Sequence, residues 1–248
     1  MSKSIHILGF HSVESLLRTN PESVIKVFIL NNRKDKRVNE LVNTLTNQNI
    51  AFSSVDKNDL DRIAKGEIHQ GVISEVILPP LLNEESLFKS ISDNSLKPLI
   101  LVLDSIQDPR NLGACLRSAN AAGVDYVVIN KDGSAPINAV VHKTSAGAIN
   151  SLKIFHVTNL SRTIKEMQKR GIWVIGLDGN SKSTIYDVDL TDATAVVMGS
   201  EGKGIRKLIK KTCDQIVTIP MSGNIESLNV SVATGIALFE SKRQRESS

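Results

Sequence analysis

The sequence predicts an α/β protein in two parts: a small mixed unit in front, and behind it a doubly wound parallel sheet of about six strands. Three observations lead there. From residue 99 onward six short runs are apolar almost without interruption, LILVLD, YVVIN, SLKIFHV, IWVIGLD, AVVMG and QIVTIP, with helical patterns between them. Strands covered by helices on both faces read this way, because neither face meets water. Before residue 79, shorter runs alternate with amphipathic stretches, so that region needs a smaller core of its own. Between the two lies PPLLNEESLFKSISDNSLKP, bounded by prolines and rich in Ser, Asn and acids.

Taken in order, HSVESLLRT places its apolar residues at helical spacing, VIKVFIL is a β-branched strand, KRVNELVNTLTNQ is a second amphipathic helix, and HQGVISEVIL closes the unit as a strand. Residues 1–78 are therefore expected to form one small α/β domain. Residues 79–98 are expected to be a linker with at most one amphipathic turn. Residues 99–248 are the sheet domain, and no fixed-period repeat or low-complexity tract interrupts it.

Composition narrows the function classes. The 248 residues are enough for two cores. Cys115 and Cys213 stand far apart without a CxxC or His-spaced partner, so neither a disulfide framework nor a zinc site is expected. Both read as small buried hydrophobes, and His142 as a helix residue without a ligand-spaced partner. The segment MSKSIHILGF falls short of a signal-peptide core and no apolar run reaches the length of a membrane span, so a soluble, cytoplasmic protein without a membrane partner is expected. The formal net charge of +4 permits a polyanionic partner without requiring one. Residues 1–98 carry 12 basic and 12 acidic side chains, so the excess lies in the second part. One basic cluster still stands out in front: Arg33, Lys34, Lys36 and Arg37, broken only by Asp35. It reads equally as a solvated turn or as a phosphate contact.

Ligands of parallel sheets settle at the carboxyl ends of the strands, so the loops there carry the chemistry. The first, SIQDPRNLGACLRSANAAG, follows LILVLD. Asp108 and Pro109 end the extended run, Asn111 is placed to cap a helix, and Gly123 stops that helix near Ala122. Arg117 lies well inside it. Taken singly, Asn111 reads as a cap and Arg117 as a surface arginine. The second loop, GSEGKGIRK, sets Gly199, Gly202 and Gly204 between a strand and a helix, where a nucleotide can approach closely. Its order is neither the dinucleotide fingerprint nor the P-loop. Glu201 in its middle would repel a phosphate, so the ligand is neutral or cationic, or Glu201 pairs with an arginine. The third loop, MSGNIESLNVSVATG, brings Ser227 and Asn229 to the start of a helix whose Val230, Val232, Ala233, Ile236, Ala237 and Phe239 read as core. A Ser cap explains Ser227. It leaves Asn229 in need of a polar partner.

Together the three loops resemble a known family. NLGA followed by Arg117, Ser118 and Ala119, the run MGSEGKGI, and IPMSGNIESLNVSVA are similar to the three motifs of the SpoU family of 2′-O-ribose RNA methyltransferases, which use S-adenosylmethionine. IHILGFHSVESLL and HQGVISEV resemble the small ribosomal-protein-like RNA-binding domain that precedes the catalytic domain in bacterial members acting on a guanosine of the 23S rRNA peptidyl-transferase P loop. The resemblance spans essentially the whole chain.

What it implies goes beyond composition or periodicity. The sheet domain should contain a deep trefoil knot near its carboxyl end, which ordinary chains avoid. Gly199, Ile219, Met221 and Leu228 should hold the adenosine part of S-adenosylmethionine, whose product is S-adenosylhomocysteine; no metal is implied. Asn111, Arg117, Glu201, Ser227 and Asn229 should form the methyl-transfer site, with Asn111 orienting Arg117 or the ribose and Glu201 fixing the guanidinium. Partners should be 23S rRNA and a second copy of the chain, with the Arg33 to Arg37 cluster touching RNA. The same transfer on another rRNA or tRNA nucleotide is an alternative, as is a non-catalytic RNA-binding protein, though the latter has no use for Asn111, Arg117, Glu201 and Asn229 together. A dehydrogenase would need a dinucleotide fingerprint after the first strand, where DPRNLGA offers none.

Overall fold

The computed structural model describes residues 4–33, 35–77, 82–92, 97–225 and 227–247. Residues 1–80 with 137–151 make one folded unit, and residues 81–136 with 152–248 make the other.

In the first unit β1 (Ile5–Leu8), α1 (Phe10–Thr19), β2 (Val24–Leu30), α2 (Lys36–Asn47), β3 (Ala51–Val55), α3 (Lys57–Ala64) and β4 (Val72–Val76) follow one another. The strands pair in the order β1-β4-β2-β3, antiparallel except for β2 with β3. Alternation along the strands decides the two faces. Val27 and Ile29 cluster with Phe10, Val13 and Leu41 under α1 and α2, whereas Leu8 and Ile73 meet Leu60 of α3. Asp35 caps α2 by accepting the Val38 N–H at 3.2 Å, and Asp56 caps α3 by accepting that of Asp59 at 2.8 Å. The elements β1, β3 and α3 add to those expected. Edge strand β3 leaves much of AFSSV exposed, and α3 buries only Leu60 and Ala64, so neither advertises itself by an apolar pattern.

The second unit opens with β5 (Leu82–Asn83) and α4 (Glu84–Ser92), which correct the expectation of a linker over 79–98. One helical turn apart, Leu87 and Ile91 enter the main core, and Glu84 accepts a hydrogen bond from Thr163 Oγ1 at 2.6 Å. The polar composition belongs to the outer face of that helix. Next come β6 (Leu99–Asp104), α5 (Pro109–Ala122) and β7 (Tyr126–Asn130). Residues 137–151 then join the first unit, where α6 (Ala139–Thr144) lies beside β1 and Ser15 Oγ donates to the Gly147 carbonyl at 3.0 Å. The chain returns as β8 (Lys153–Val157), α7 (Leu160–Gln168), β9 (Trp173–Leu177), β10 (Thr194–Gly199), α8 (Lys207–Thr212), β11 (Gln215–Val217) and α9 (Val230–Glu246).

All six expected strands are present, and with β5 they form a sheet in the order β11-β9-β10-β6-β7-β8-β5. Every pairing in it is parallel. From β6 the chain steps one way to β7 and β8, then crosses back to build β9, β10 and β11 on the other side. The order therefore reverses between β6 and β10, where Gly199 lies in register with Asp104. A crevice for a ligand opens at such a point.

Helix α9 packs along α5, with Cys115 Sγ 3.4 Å from Thr234 Oγ1. Its burial differs from the expectation: Val232 and Phe239 are 50% and 48% exposed, while Thr234, Glu240 and Ser241 are buried. The inner hydroxyls satisfy themselves, Thr234 on the Val230 carbonyl at 2.7 Å and Ser241 on that of Ala237 at 2.9 Å. Both cysteines are free thiols, one buried and one half-buried. Burial pushes Cys115 up to about 11 and Cys213 up to about 12. Neither should react with iodoacetamide at pH 8 in the native protein, whereas both should in denaturant, as mass spectrometry would read. Burial likewise pushes His142 down to about 4, so its imidazole stays neutral. Among the described residues no helix is long and apolar enough to cross a membrane.

Candidate active site

The glycine-rich loop has a specific steric origin. A Cβ on Gly199 would fall 2.0 to 2.3 Å from the backbone of Gly204 and Ile205, so only glycine can end β10 beneath that crossing. The turn above it is closed in both directions, Ser200 N–H to the Gly204 carbonyl at 3.1 Å and Gly204 N–H to the Ser200 carbonyl at 2.8 Å. Gly202 and Gly204 take positive φ values of 78° and 63° to make it. The spacing G-x-x-G-x-G thus encodes a loop folded back over its own strand.

Beside this loop lies a pocket of about 590 Å³, bordered by residues 177–180 after β9, 198–204 around the end of β10, and parts of 218–233 from the segment after β11 into α9. Gly199, Ile219, Met221 and Leu228 all line it, as do Ser227 and Glu201. Two loops far apart in sequence therefore meet on one cavity. The first loop reaches it through hydrogen bonds. Asn229 Nδ2 donates to Asn111 Oδ1 at 3.1 Å, and Asn111 Nδ2 donates to Glu201 Oε2 at 2.8 Å. Asn229 Oδ1 accepts from the Ser231 N–H at 2.9 Å and from its hydroxyl at 2.6 Å, so Asn229 is itself the cap of α9. One residue begins the helix and ties it to the first loop, and through Asn111 to the second.

Two expectations change. Asn111 does not cap α5; Asp108 does, accepting the Arg110 N–H at 2.7 Å, which leaves the Asn111 amide free to bridge. Nor does Glu201 hold Arg117. Arg117 is exposed and, among the described residues, has no hydrogen bond or ion pair. Six residues turn a helix by about 600°, so Arg117 lies roughly 120° around α5 from Asn111, on a different face from the one that meets Glu201.

Two acids escaped sequence reasoning, although each closes an apolar run, LILVLD and IWVIGLD. Fully buried, Asp104 accepts the Arg206 N–H at 2.9 Å and its Nε–H at 2.7 Å, pinning the start of α8 across the switch point. Asp178 lines the pocket and pairs with Lys210 at 2.9 Å. Burial alone would raise its carboxyl, but the hydrogen bonds from Lys210 and the Asn180 N–H outweigh that and keep it below the ordinary range.

In the first unit, the basic cluster is less solvated than its composition suggests. Arg37 forms a two-pronged pair with Glu14, 2.8 Å on each arm, and that guanidinium holds the Glu14 carboxyl below its usual range. Arg33 is bound to Asp35 and to the Gln70 carbonyl. Both guanidiniums lie over the Phe10 ring, 4.7 and 4.8 Å from its centre. Lys36 is open, its side chain 93% exposed, and Lys34 lies outside the described residues.

Residues 98–239 match the SpoU rRNA Methylase family, and residues 6–80 match the family described as RNA 2′-O ribose methyltransferase substrate binding. The 23S rRNA (guanosine-2′-O-)-methyltransferase RlmB of Haemophilus ducreyi is 47% identical over 243 residues, 98% of each chain. Its namesake from Escherichia coli is 44% identical over 239 residues, 96% of this chain and 98% of its own. The SpoU methyltransferase AviRb from Streptomyces viridochromogenes, crystallised with AdoMet, shares the fold with a TM-score of 0.81 at 21% identity, over 99% of this chain and 92% of that one. The A. aeolicus TrmH/SpoU tRNA modifying enzyme gives a TM-score of 0.57 at 32% identity, over 66% of this chain and 85% of its own. With a family match running over more than half its length and through every loop that builds the pocket, this chain belongs to the SpoU rRNA methylase family.

Proposed function

We propose that the protein transfers a methyl group from S-adenosylmethionine to the ribose 2′-hydroxyl of a guanosine in the peptidyl-transferase P loop of 23S rRNA, releasing S-adenosylhomocysteine. The observation that carries this reading is the meeting of Gly199, Ile219, Met221 and Leu228 on one pocket beside the Asn111, Glu201 and Asn229 hydrogen-bond chain, in a chain 47% identical to a named 23S rRNA guanosine 2′-O-methyltransferase. The pocket suits the donor: Leu177, Met198, Ile219 and Leu228 offer apolar surface, and the bare backbone at Gly199 permits close approach. When bound, S-adenosylmethionine supplies a methyl group on a sulfonium, a strong electrophile for a weak nucleophile.

The chain's own groups supply alignment and charge. Gly199, Ile219, Met221 and Leu228 hold the adenosine part, and Ser227 faces the same cavity. Glu201, Asn111 and Asn229 brace the three loops, which sets the donor and the ribose in line. Arg117, without a hydrogen bond or ion pair among the described residues, binds an RNA phosphate and stabilises negative charge growing on the 2′-oxygen. It serves as a fixed positive charge and hydrogen-bond donor rather than as a base.

The same reading gives the second unit a deep trefoil knot formed by the loops after β10 and β11, and makes the first unit a ribosomal-protein-like RNA-docking domain whose Arg33 to Arg37 face meets rRNA in the cytoplasm. A second copy covers α9. Val232, Ile236 and Phe239 recur at i, i+4 and i+7 along one face, and two of them are about half exposed. Phe239→Arg should then convert a dimer to a monomer in sedimentation, without unfolding it.

Labelled S-adenosylmethionine, incubated with an unmodified 23S rRNA fragment and separately with tRNA, tests the assignment. Ribose methylation mapped to one P-loop guanosine is the expected result. Label on tRNA alone, or on no RNA while the donor still binds, would overturn it.

A further inference from the structure

We infer that the first unit holds one unstacked RNA base against a platform made by the guanidinium planes of Arg33 and Arg37. This rests on the reading of the chain as an RNA methyltransferase and adds how its first unit grips the substrate.

The platform borders a second cavity, of about 640 Å³, lined among others by Phe10, Arg33, Arg37, Lys57, Ile68 and His69. The acids in and around it already have partners: Asp61 with His69 at 3.0 Å and Glu67 with Lys143 at 2.9 Å in the lining, and Glu14 with Arg37 and Asp35 with Arg33 beside it. A phosphate would have to compete with Asp35 and Glu14 for the Nε edge of either arginine. A base would not. Each guanidinium is held along its Nε edge, Arg33 by Asp35 with Nη1 on the Gln70 carbonyl and Arg37 by Glu14, and Phe10, 1% exposed, lies against both. The remaining flat surface, on side chains 33% and 37% exposed, offers stacking, one of the main ways proteins hold single-stranded RNA bases.

Residues 66–71, which also line the cavity, belong to a turn of fixed shape that begins at Lys65. Lys65 and Gln70 take left-handed conformations at φ 51° and 56°, and Gly66 and Gly71 flank them at 81° and 83°. Non-glycine residues held there are strained, and such strain gathers at ligand clamps. That strained turn aims the Gln70 carbonyl at Arg33, and His69 Nδ1 accepts the Gly71 N–H at 3.0 Å, which locks the ring against the cavity. Ile68 remains on the rim, 72% exposed, as apolar cover for a base edge.

The test uses the full-length protein and an unmodified 23S rRNA fragment carrying the P loop, with 2-aminopurine placed in turn at its unpaired positions. Binding is measured across salt concentrations for wild type, the double variant Arg33→Lys with Arg37→Lys, and Ile68→Ser. The double variant keeps its formal charge and loses the planes, so affinity should fall about tenfold or more with the salt slope unchanged. One 2-aminopurine position should respond in wild type and fall silent in the variant. Ile68→Ser, on the exposed rim, should give a smaller loss in the same direction and carries the test should the double variant melt early. Undiminished affinity in both variants, or a loss with a shallower salt slope, rejects the platform and leaves the methyltransferase reading intact. A wild-type protein that ignores the fragment removes both.

Discussion

Replacing Arg117 with Ala should lower methyl transfer by about 10²- to 10³-fold, the loss typical of removing one preorganised donor to developing negative charge. The same substitution should move the melting temperature little, because Arg117 is exposed and holds no hydrogen bond or ion pair among the described residues. Calorimetry should find donor binding near normal, since Arg117 does not line the pocket of about 590 Å³. The separation makes the result interpretable. A structural arginine would cost stability, and a cofactor contact would cost donor affinity; only a group acting on the RNA or on the reacting oxygen would take activity alone. Full activity in Arg117→Ala, measured under single turnover with saturating RNA, would remove Arg117 from the site and leave the Asn111, Glu201 and Asn229 chain to explain alignment without it.

Gly199→Ala should act in the opposite manner, through the fold. Its added Cβ would meet the Gly204 and Ile205 backbone at 2.0 to 2.3 Å, and no side-chain rotation can relieve a clash with main chain. Either the reciprocal Ser200 and Gly204 hydrogen bonds break or β10 shifts out of register with Asp104. A destabilisation of about 3 kcal/mol, the upper part of the range for overpacking, is expected in urea unfolding. Donor binding should be lost even below the unfolding midpoint, because the displaced loop is the pocket wall. Gly202→Ala is the useful comparison: a Cβ there meets nothing within 4 Å, so its penalty comes only from the positive φ of 78° and should be smaller. Equal effects at the two positions would mean that backbone conformation, not the crossing at Gly199, decides the loop.

The division between readable and unreadable features follows particular residues. Six strands of the second unit stand out in the sequence because most of their residues are buried whichever face they point to, so each run is largely apolar and needs no partner to be recognised. The end of α5 at Ala122 is equally local, since Gly123 takes the left-handed conformation that stops a helix. Elements that bury little went unseen: β3 lies at an edge, α3 hides two side chains, and α4 sits inside a stretch whose serines and acids mask Leu87 and Ile91. In α9, Val232 and Phe239 read as core by type but stand on the outer face, while Thr234 and Ser241 occupy the inner one.

At the active site, residue types were legible and their partners were not. Asn111, Glu201 and Asn229 could be singled out as polar groups in unusual places, yet the pairing of Glu201 with Asn111 rather than Arg117 depends on which face of α5 turns toward β10. Asn111 is 90 residues from Glu201 and 118 from Asn229. Arg33 and Arg37 likewise looked like free charge until Glu14 and the Gln70 carbonyl, 23 and 37 residues away, took their hydrogen bonds.

From the linear chain alone came the periodicities, the turn residues and the inventory of chemical groups, because each is written in neighbours a few positions apart. Folding alone settled who meets whom: the reversal of strand order between β6 and β10 brings distant loops onto one cavity, and contact across such distances is a property of chain crossings that no local pattern records.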